Sequence, residues 1–169
     1  MTLFTRRSVL QAAAALAAGP ALAQAPNPAP APNPFRYDEV VRRARELSAV
    51  PYTETTPALP DPLPRLDFDG WRDIRFRPER ALLAQSGGPF RMHMFHLGFL
   101  YQRPVTVNVI RDGVPTPVAY QAQLFDYGRN KFDKPFPVNF GFAGFRLHYP
   151  LNDPRVFDEL ISFVGASYF

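Results

Sequence analysis

Proline is the residue that most constrains how this chain can fold. The 169 residues include 20 prolines and 10 glycines. Each proline fixes φ and removes a backbone donor, so long helices and long central strands are disfavoured over much of the chain. With 46% hydrophobic residues and 16 phenylalanines, the chain still has enough apolar material for a real core. The composition therefore predicts an all-β fold of short strands joined by turns.

The first 23 residues have the pattern of an export signal. Arg6 and Arg7 precede an apolar, alanine-rich stretch too short to span a bilayer, and Ala21 and Ala23 supply the small residues of a cleavage site. We predict cleavage after Ala23. The arginine pair predicts recognition by the twin-arginine export machinery. The alternative is a general secretory signal in which the pair occurs by chance.

Residues 24–34 form a separate segment in which proline recurs at every second position from Pro26 to Pro34. Proline at this density excludes helix and central strand and leaves a polyproline-like geometry. We therefore predict an extended linker over residues 24–34 and a folded domain over residues 35–169.

One helix is predicted, from Phe35 to Ala49. Its apolar residues recur on one face and its basic residues on the other, with Asp38 as the expected N-terminal cap and Pro51 as the stop. The basic cluster Arg42, Arg43 and Arg45 is interpreted as the solvated face of this helix.

The strands are predicted from alternation and turn residues. A meander of consecutive hairpins is expected in the middle of the chain, around a turn at residues 111–113. The last segment fits either a helix or a strand, and we favour a strand because it has no clean helical stripe. The predicted strands are Trp71–Phe76, Phe90–Phe99, Val105–Ile110, Val114–Tyr120, Ala122–Tyr127, Phe145–Tyr149 and Val156–Val164.

Charge and residue content exclude several classes of function. The formal net charge of +4 includes Arg6 and Arg7 of the export signal, so the mature chain is closer to neutral and has no Arg-rich stripe for a nucleic acid. The chain has no cysteine, which excludes thiol catalysis and thiolate metal sites within it. Phosphate-binding and dinucleotide-binding glycine motifs are absent, and no cofactor is predicted.

Neither a metal site nor a catalytic site can be assigned from residue spacing. His93 and His96 are three apart in a predicted strand, so their side chains should diverge, and His148 is expected to stand alone. The run Asp67–Gly70 lacks the later ligands of a calcium loop and is predicted to be a turn. Several carboxylates lie on or near loops, but sequence alone cannot pair two of them across a cleft as glycoside hydrolysis requires.

The aromatic residues are the better indication of function. A sheet surface lined by aromatic rings suits sugar rings, whose C–H faces stack on them. The alternative is that these rings pack in the core, which must be true of most of the phenylalanines. The residues predicted to bind carbohydrate are Trp71, Tyr101, Tyr127 and Tyr149.

Several short motifs, taken in order along the chain, together resemble one family. They are Phe35–Val40, Ala44–Leu47, Pro51-Tyr52, Phe95–Gly98, Pro104-Val105, Gly141–Arg146, Tyr149–Asn152 and Gly165–Phe169. In these motifs the chain is similar to the glucan biosynthesis protein family G/D, which is required for osmoregulated periplasmic glucans. The similarity extends over residues 35–169, and the twin-arginine pair favours a D member.

This resemblance implies a galactose-mutarotase-like antiparallel β-sandwich with one N-terminal helix. It also implies that the chain is the truncated front part of a longer protein, which fits a strand-like run that stops at Phe169. The implied location is the periplasm, and the implied ligand is a β-1,2-linked glucan. The implied partners are the glucan itself and the membrane glucan synthase.

The resemblance leaves the reaction open. Full-length members with β-1,2-glucanase activity are known, and the resemblance places the catalytic carboxylates after Phe169, so no catalytic residue is assigned here and the fragment is expected to be inactive. One alternative is a non-catalytic carbohydrate-binding or scaffolding module that delivers glucan to partner enzymes. Another is an unrelated exported β-domain.

Overall fold

The structure, a computed structural model, describes residues 34–53, 59–137 and 140–165. The predicted export signal and most of the predicted linker lie outside the described residues, as do residues 166–169. The described strands are β1 Arg75–Phe76, β2 Arg91–Phe95, β3 Asn108–Arg111, β4 Val114–Pro117, β5 Phe125–Asp126, β6 Gly144–Tyr149 and β7 Asp158–Val164. The α-helices are α1 Tyr37–Ser48 and α2 Phe68–Arg72, and 3₁₀ turns cover Leu63–Arg65, Pro78–Arg80, Ala84–Ser86 and Ala122–Leu124.

All strand pairs in this part of the chain are antiparallel, which confirms the all-β, sandwich-like prediction. The largest sheet has the order β2-β6-β7, and two smaller pairs are β1-β5 and β3-β4. In β2 every second residue is buried, including Met92 and Met94, because successive side chains of a strand point to opposite faces. The preference for a strand near the end of the chain is confirmed by β7.

The core lies where β1, β2, β5 and the segments around Tyr120 and Phe142 meet. Phe76 and Phe125 are cross-strand partners in the β1-β5 pair, and their rings meet edge to face at 5.5 Å between centroids. Burying an aromatic ring of this size contributes on the order of 2 kcal/mol. The buried core residues are Leu63, Ile74, Phe76, Met92, Met94, Val107, Tyr120, Phe125 and Phe142.

The prediction of a strand over Trp71–Phe76 was wrong for most of its length. Asp67 is the N-cap of α2, and its carboxylate accepts a hydrogen bond from the Gly70 amide at 2.7 Å. This bond satisfies a donor that would otherwise be unpaired and favours a helical turn, so Trp71 lies in a helix and the strand is confined to Arg75–Phe76. The predicted turn at Asp67–Gly70 is thus the start of α2.

The predicted meander is only partly correct. The β3-β4 hairpin is confirmed, and its turn residues Asp112 and Gly113 both have positive φ, as a tight hairpin turn requires. The segment Ala122–Tyr127 does not continue the meander, because Ala122–Leu124 forms a 3₁₀ turn and β5 pairs with β1. Burial of Phe125 against Phe76 favours this distant partner over the adjacent hairpin.

The predicted helix is confirmed as α1, but Asp38 is not its cap. The cap position is Arg36, whose side chain makes no capping hydrogen bond, and Asp38 lies in the first turn, where a negative charge favours the helix dipole. None of the α1 residues is buried, and Arg42 pairs on the surface with Glu39 and Glu46. Within the described ranges, no helix is long and apolar enough to cross a membrane.

Candidate functional site

Helix α2 presents Trp71 at the surface and fixes the orientation of its ring. The indole N–H of Trp71 donates a hydrogen bond to the main-chain carbonyl of His96 at 2.8 Å. Because the Asp67 cap sets where α2 begins, it also sets which residue of the helix reaches His96. Trp71 is half-buried and so remains partly accessible to solvent.

The ring of Trp71 belongs to a surface cluster that we call the aromatic platform. Its centre is the Trp71–Tyr101 pair, whose ring centroids are 4.7 Å apart at an angle of 39°. Phe95 stacks on Trp71 at 6.2 Å, and Phe68 lies 6.4 Å from Trp71 with 52% of its surface exposed. The platform consists of Phe68, Trp71, Phe95, Phe99 and Tyr101.

Two glycines allow the platform rings to pack closely on the main chain. A Cβ atom on Gly98, whose φ is +145°, would lie 3.3 Å from Cδ1 of Trp71. A Cβ atom on Gly165, whose φ is +64°, would lie 3.3 Å from Cδ1 of Tyr101. A side chain at either position would therefore be strained and would press on a platform ring.

A polar groove borders α2. Its volume is about 580 Å³, and it shares the residues Asp67, Asp69 and Gly70 with the helix that carries Trp71. The amide of Asn130 closes one wall by donating to the Gly70 carbonyl at 2.9 Å. The polar groove is lined mainly by Arg65, Asp67, Asp69, Gly70, Arg129 and Asn130.

Beneath the platform, His96 is buried with only 2% of its surface exposed. Its Nδ1 lies 2.6 Å from the Leu97 carbonyl, and its Nε2 lies 3.0 Å from the Tyr120 hydroxyl. A carbonyl can only accept, so Nδ1 carries the proton and Nε2 accepts from Tyr120. The Tyr120 oxygen in turn lies 3.2 Å from the Tyr127 hydroxyl, whose single proton is shared between Tyr120 and the Ala122 carbonyl at 3.3 Å.

Burial controls the protonation of this network. Desolvation lowers the pKa of His96 to about 4, although the hydrogen bond to the Leu97 carbonyl acts in the opposite direction. Desolvation also raises the pKa values of Tyr120 and Tyr127. All three side chains are therefore neutral near pH 7, and aromatic rings enclose them. The rings around His96 are those of Tyr120, Phe125, Tyr127, Phe136 and Phe140.

Two of the three histidines, His93 and His148, lie next to each other, although the sequence predicted that His148 would stand alone. His148 does not stand alone, because its ring centroid lies 4.3 Å from that of His93 on the neighbouring strand. Burial, with the charges of His148 and Arg146, lowers the pKa of His93 to about 4, and burial also lowers the pKa of His148. Across the described residues, no group of three or more His, Asp or Glu side chains is placed to hold a metal ion.

Of the four residues predicted to bind carbohydrate, the structure brings together Trp71 and Tyr101. Tyr127 belongs to the network around His96, and Tyr149 contacts Phe90 at 5.2 Å between ring centroids. The other platform members, Phe68, Phe95 and Phe99, were missed because nothing in their local pattern separates them from core phenylalanines. The predicted signal residues Arg6, Arg7, Ala21 and Ala23 lie outside the described part of the chain.

Comparison with known proteins identifies the family. Residues 35–169 match the family described as "Periplasmic glucan biosynthesis protein, MdoG". The chain is 41% identical over 135 residues to glucans biosynthesis protein G of Ralstonia nicotianae, which covers 80% of this chain and 27% of that protein. It is 41% identical over 165 residues to the protein of the same name from Rhodopseudomonas palustris strain BisA53, covering 97% of this chain and 33% of the relative.

A third relative, glucans biosynthesis protein G of Vibrio cholerae, is 38% identical over 135 residues, or 80% of this chain and 25% of that protein. The chain thus spans about a quarter to a third of the length of these curated relatives. All three carry the letter G in their names, and the preference for a D member stays a prediction based on Arg6 and Arg7. With the family matched over residues 35–169, the chain belongs to the MdoG family of periplasmic glucan biosynthesis proteins.

Proposed function

We propose that this chain is the glucan-binding portion of a periplasmic protein of glucan biosynthesis, with a β-1,2-linked glucose polymer as its ligand. The family description and the names of the relatives support the role in glucan biosynthesis and the periplasmic location. The observation that carries the proposal is the Trp71–Tyr101 pair, whose ring centroids are 4.7 Å apart. Trp71 lies on α2, the helix that also borders the polar groove.

The chemistry of β-glucose fits this combination of surfaces. Its hydroxyl groups are equatorial, so both faces of the sugar ring expose C–H groups that stack on aromatic rings, while the rim needs hydrogen-bonding partners. The aromatic rings of the platform would stack on the C–H faces of successive glucose units. Charged side chains of the polar groove, such as Asp69 and Arg129, would bind hydroxyl groups of the same polymer.

Isothermal titration calorimetry of the chain with linear β-1,2-glucan tests the proposal. The β-1,3- and β-1,4-linked glucans serve as linkage controls and should bind more weakly. Trp71→Ala should lower the affinity about tenfold, because stacking on an aromatic ring is worth about 1 kcal/mol or slightly more. Tyr149→Ala removes a predicted residue outside the platform and should leave the affinity within a factor of about two. Equal losses in the two variants, or no binding at all, would reject the platform as the site.

Whether the longer relatives hydrolyse the glucan is a separate question. The family resemblance favours hydrolysis in the full-length protein, with acid-assisted attack of water at a glycosidic carbon. The second candidate is a scaffold that delivers nascent glucan from the membrane glucan synthase to other enzymes. Incubating the Ralstonia relative with linear β-1,2-glucan and measuring new reducing ends separates the two, since only a hydrolase releases them. Under either candidate, the chain described here should bind glucan without cleaving it.

A further inference from the structure

We propose that His96 is a positioning residue for the aromatic platform, holding Trp71 and Tyr101 in place from inside the core. This inference rests on the proposed function, since it concerns the same binding surface. It assigns a role to a buried polar side chain that touches neither the solvent nor the expected ligand.

Both central platform rings are fixed on the segment that follows β2. The main-chain carbonyl of His96 accepts the Trp71 indole N–H at 2.8 Å. Two residues later, Gly98 and Tyr101 exchange backbone hydrogen bonds of 3.0 and 2.9 Å, which form the turn that carries Tyr101. The geometry of the Trp71–Tyr101 pair therefore depends on where the main chain of residues 96–101 lies.

The side chain of His96 ties this segment to the core. Its Nδ1 bond to Leu97 is local and cannot fix the segment relative to the rest of the protein. Its Nε2 bond to the Tyr120 hydroxyl, at 3.0 Å, joins the segment to a residue 24 positions away that is itself buried. Breaking this bond would leave the desolvated Nε2 of His96 without a partner, which favours the observed arrangement.

The Tyr120–Tyr127 hydroxyl pair offers a matched control for this argument. Tyr120→Phe removes the oxygen that bonds His96, whereas Tyr127→Phe removes an oxygen of the same network that does not contact Nε2 of His96. Each substitution deletes one phenolic oxygen and preserves the ring. A difference between the two variants therefore reports on the bond to His96 and not on loss of polar groups in general.

The chain contains one tryptophan, so its intrinsic fluorescence reports directly on the platform. In protein that circular dichroism shows to be folded, Tyr120→Phe should shift the Trp71 emission to longer wavelength and increase its quenching by acrylamide. Affinity for linear β-1,2-glucan should fall about fivefold, the equivalent of one net hydrogen bond. Tyr127→Phe should leave both the emission and the affinity unchanged.

Substitutions at His96 complete the test. His96→Phe fills the volume without a polar group and should reproduce the Tyr120→Phe emission, whereas His96→Gln supplies an amide oxygen to Tyr120 and should restore the wild-type emission. Val107→Ala, a core substitution that removes no polar group, controls for general destabilisation. The inference is overturned if folded His96→Phe keeps the wild-type emission and affinity, or if Tyr127→Phe or Val107→Ala changes them equally. If the emission shifts as expected but wild-type protein binds no glucan, the positioning role stands and the proposed ligand is wrong.

Discussion

The indole N–H of Trp71 donates to the main-chain carbonyl of His96, a residue 25 positions later in the chain, at 2.8 Å. This bond connects α2 to the segment after β2 and joins the partly exposed aromatic platform to a buried polar network. The surface proposed to bind glucan is therefore held by the core, and changes beneath it should be measurable at its surface.

Gly98→Ala should displace Trp71. The φ of Gly98 is +145°, a region that L residues rarely adopt, and the added Cβ would lie 3.3 Å from Cδ1 of Trp71. We expect a loss of about 1–3 kcal/mol in the free energy of unfolding and a change in tryptophan emission in the folded protein. Urea unfolding and fluorescence of the same samples measure both effects.

Gly87→Ala is the control for this prediction. Gly87 also has a positive φ, +76°, but nothing lies within 4 Å of the position its Cβ would occupy. It should lose stability through backbone strain and leave the tryptophan emission unchanged. An emission change of similar size in both variants would show that the absence of a side chain at Gly98 is not what determines the position of the Trp71 ring.

Gly144→Ala should disrupt the three-stranded sheet. At φ +155° the added Cβ would lie 1.9 Å from the Phe163 carbonyl oxygen, so β6 and β7 cannot keep their present pairing. We expect a loss of more than about 3 kcal/mol in the free energy of unfolding, seen as a large drop in the melting temperature or as insoluble protein. Gly113→Ala, in the open hairpin turn, should be much milder, and equal losses would contradict the assigned pairing.

The free energy of unfolding should fall as the pH decreases from about 6.5 to about 4. The folded pKa values of His93 and His96 are lowered from 6.5 to about 4, and that of His148 is lowered as well. In this window the unfolded chain binds more protons than the folded chain, so the stability present above pH 6.5 is lost on acidification. The shift of buried His96 alone corresponds to about 3 kcal/mol.

Urea unfolding at pH 7.5, 5.5 and 4.5 measures this dependence. His96→Gln has no imidazole at this position and should make the curve less steep, leaving the contribution of the His93–His148 pair. A wild-type curve that does not change between pH 7.5 and 4.5 would contradict the assignment of neutral, buried histidines.

Export of the chain should depend on the arginine pair at its start. A fusion of residues 1–34 to a reporter should reach the periplasm, and replacing both Arg6 and Arg7 by lysine should retain most of the reporter in the cytoplasm. Cell fractionation with immunoblotting measures the distribution. If the lysine variant is exported as well as the original, the general secretory alternative is correct. A host strain without the twin-arginine machinery is the control.

Local patterns predicted the elements whose partners are close in sequence or whose faces alternate cleanly. The hairpin turn at Asp112-Gly113 requires positive φ, and β2 buries alternate residues, so both could be predicted without a structure. Helix α1 was predicted from its amphipathic pattern. The error at Trp71–Phe76 arose because the Asp67 cap, a single hydrogen bond to Gly70, decided between a helix and a strand for a segment that fits either pattern.

The sequence by itself determined the family and the class of fold. The motifs rich in glycine and aromatic residues indicate the family, and the spacing of the prolines indicates short strands joined by turns. Only the tertiary structure decided that Trp71 meets Tyr101, that His93 meets His148 and that Phe125 pairs with Phe76. A sequence pattern records how one segment alternates between buried and exposed faces. Which distant segment covers a buried face depends on packing and on hydrogen bonds between groups that share no local signal.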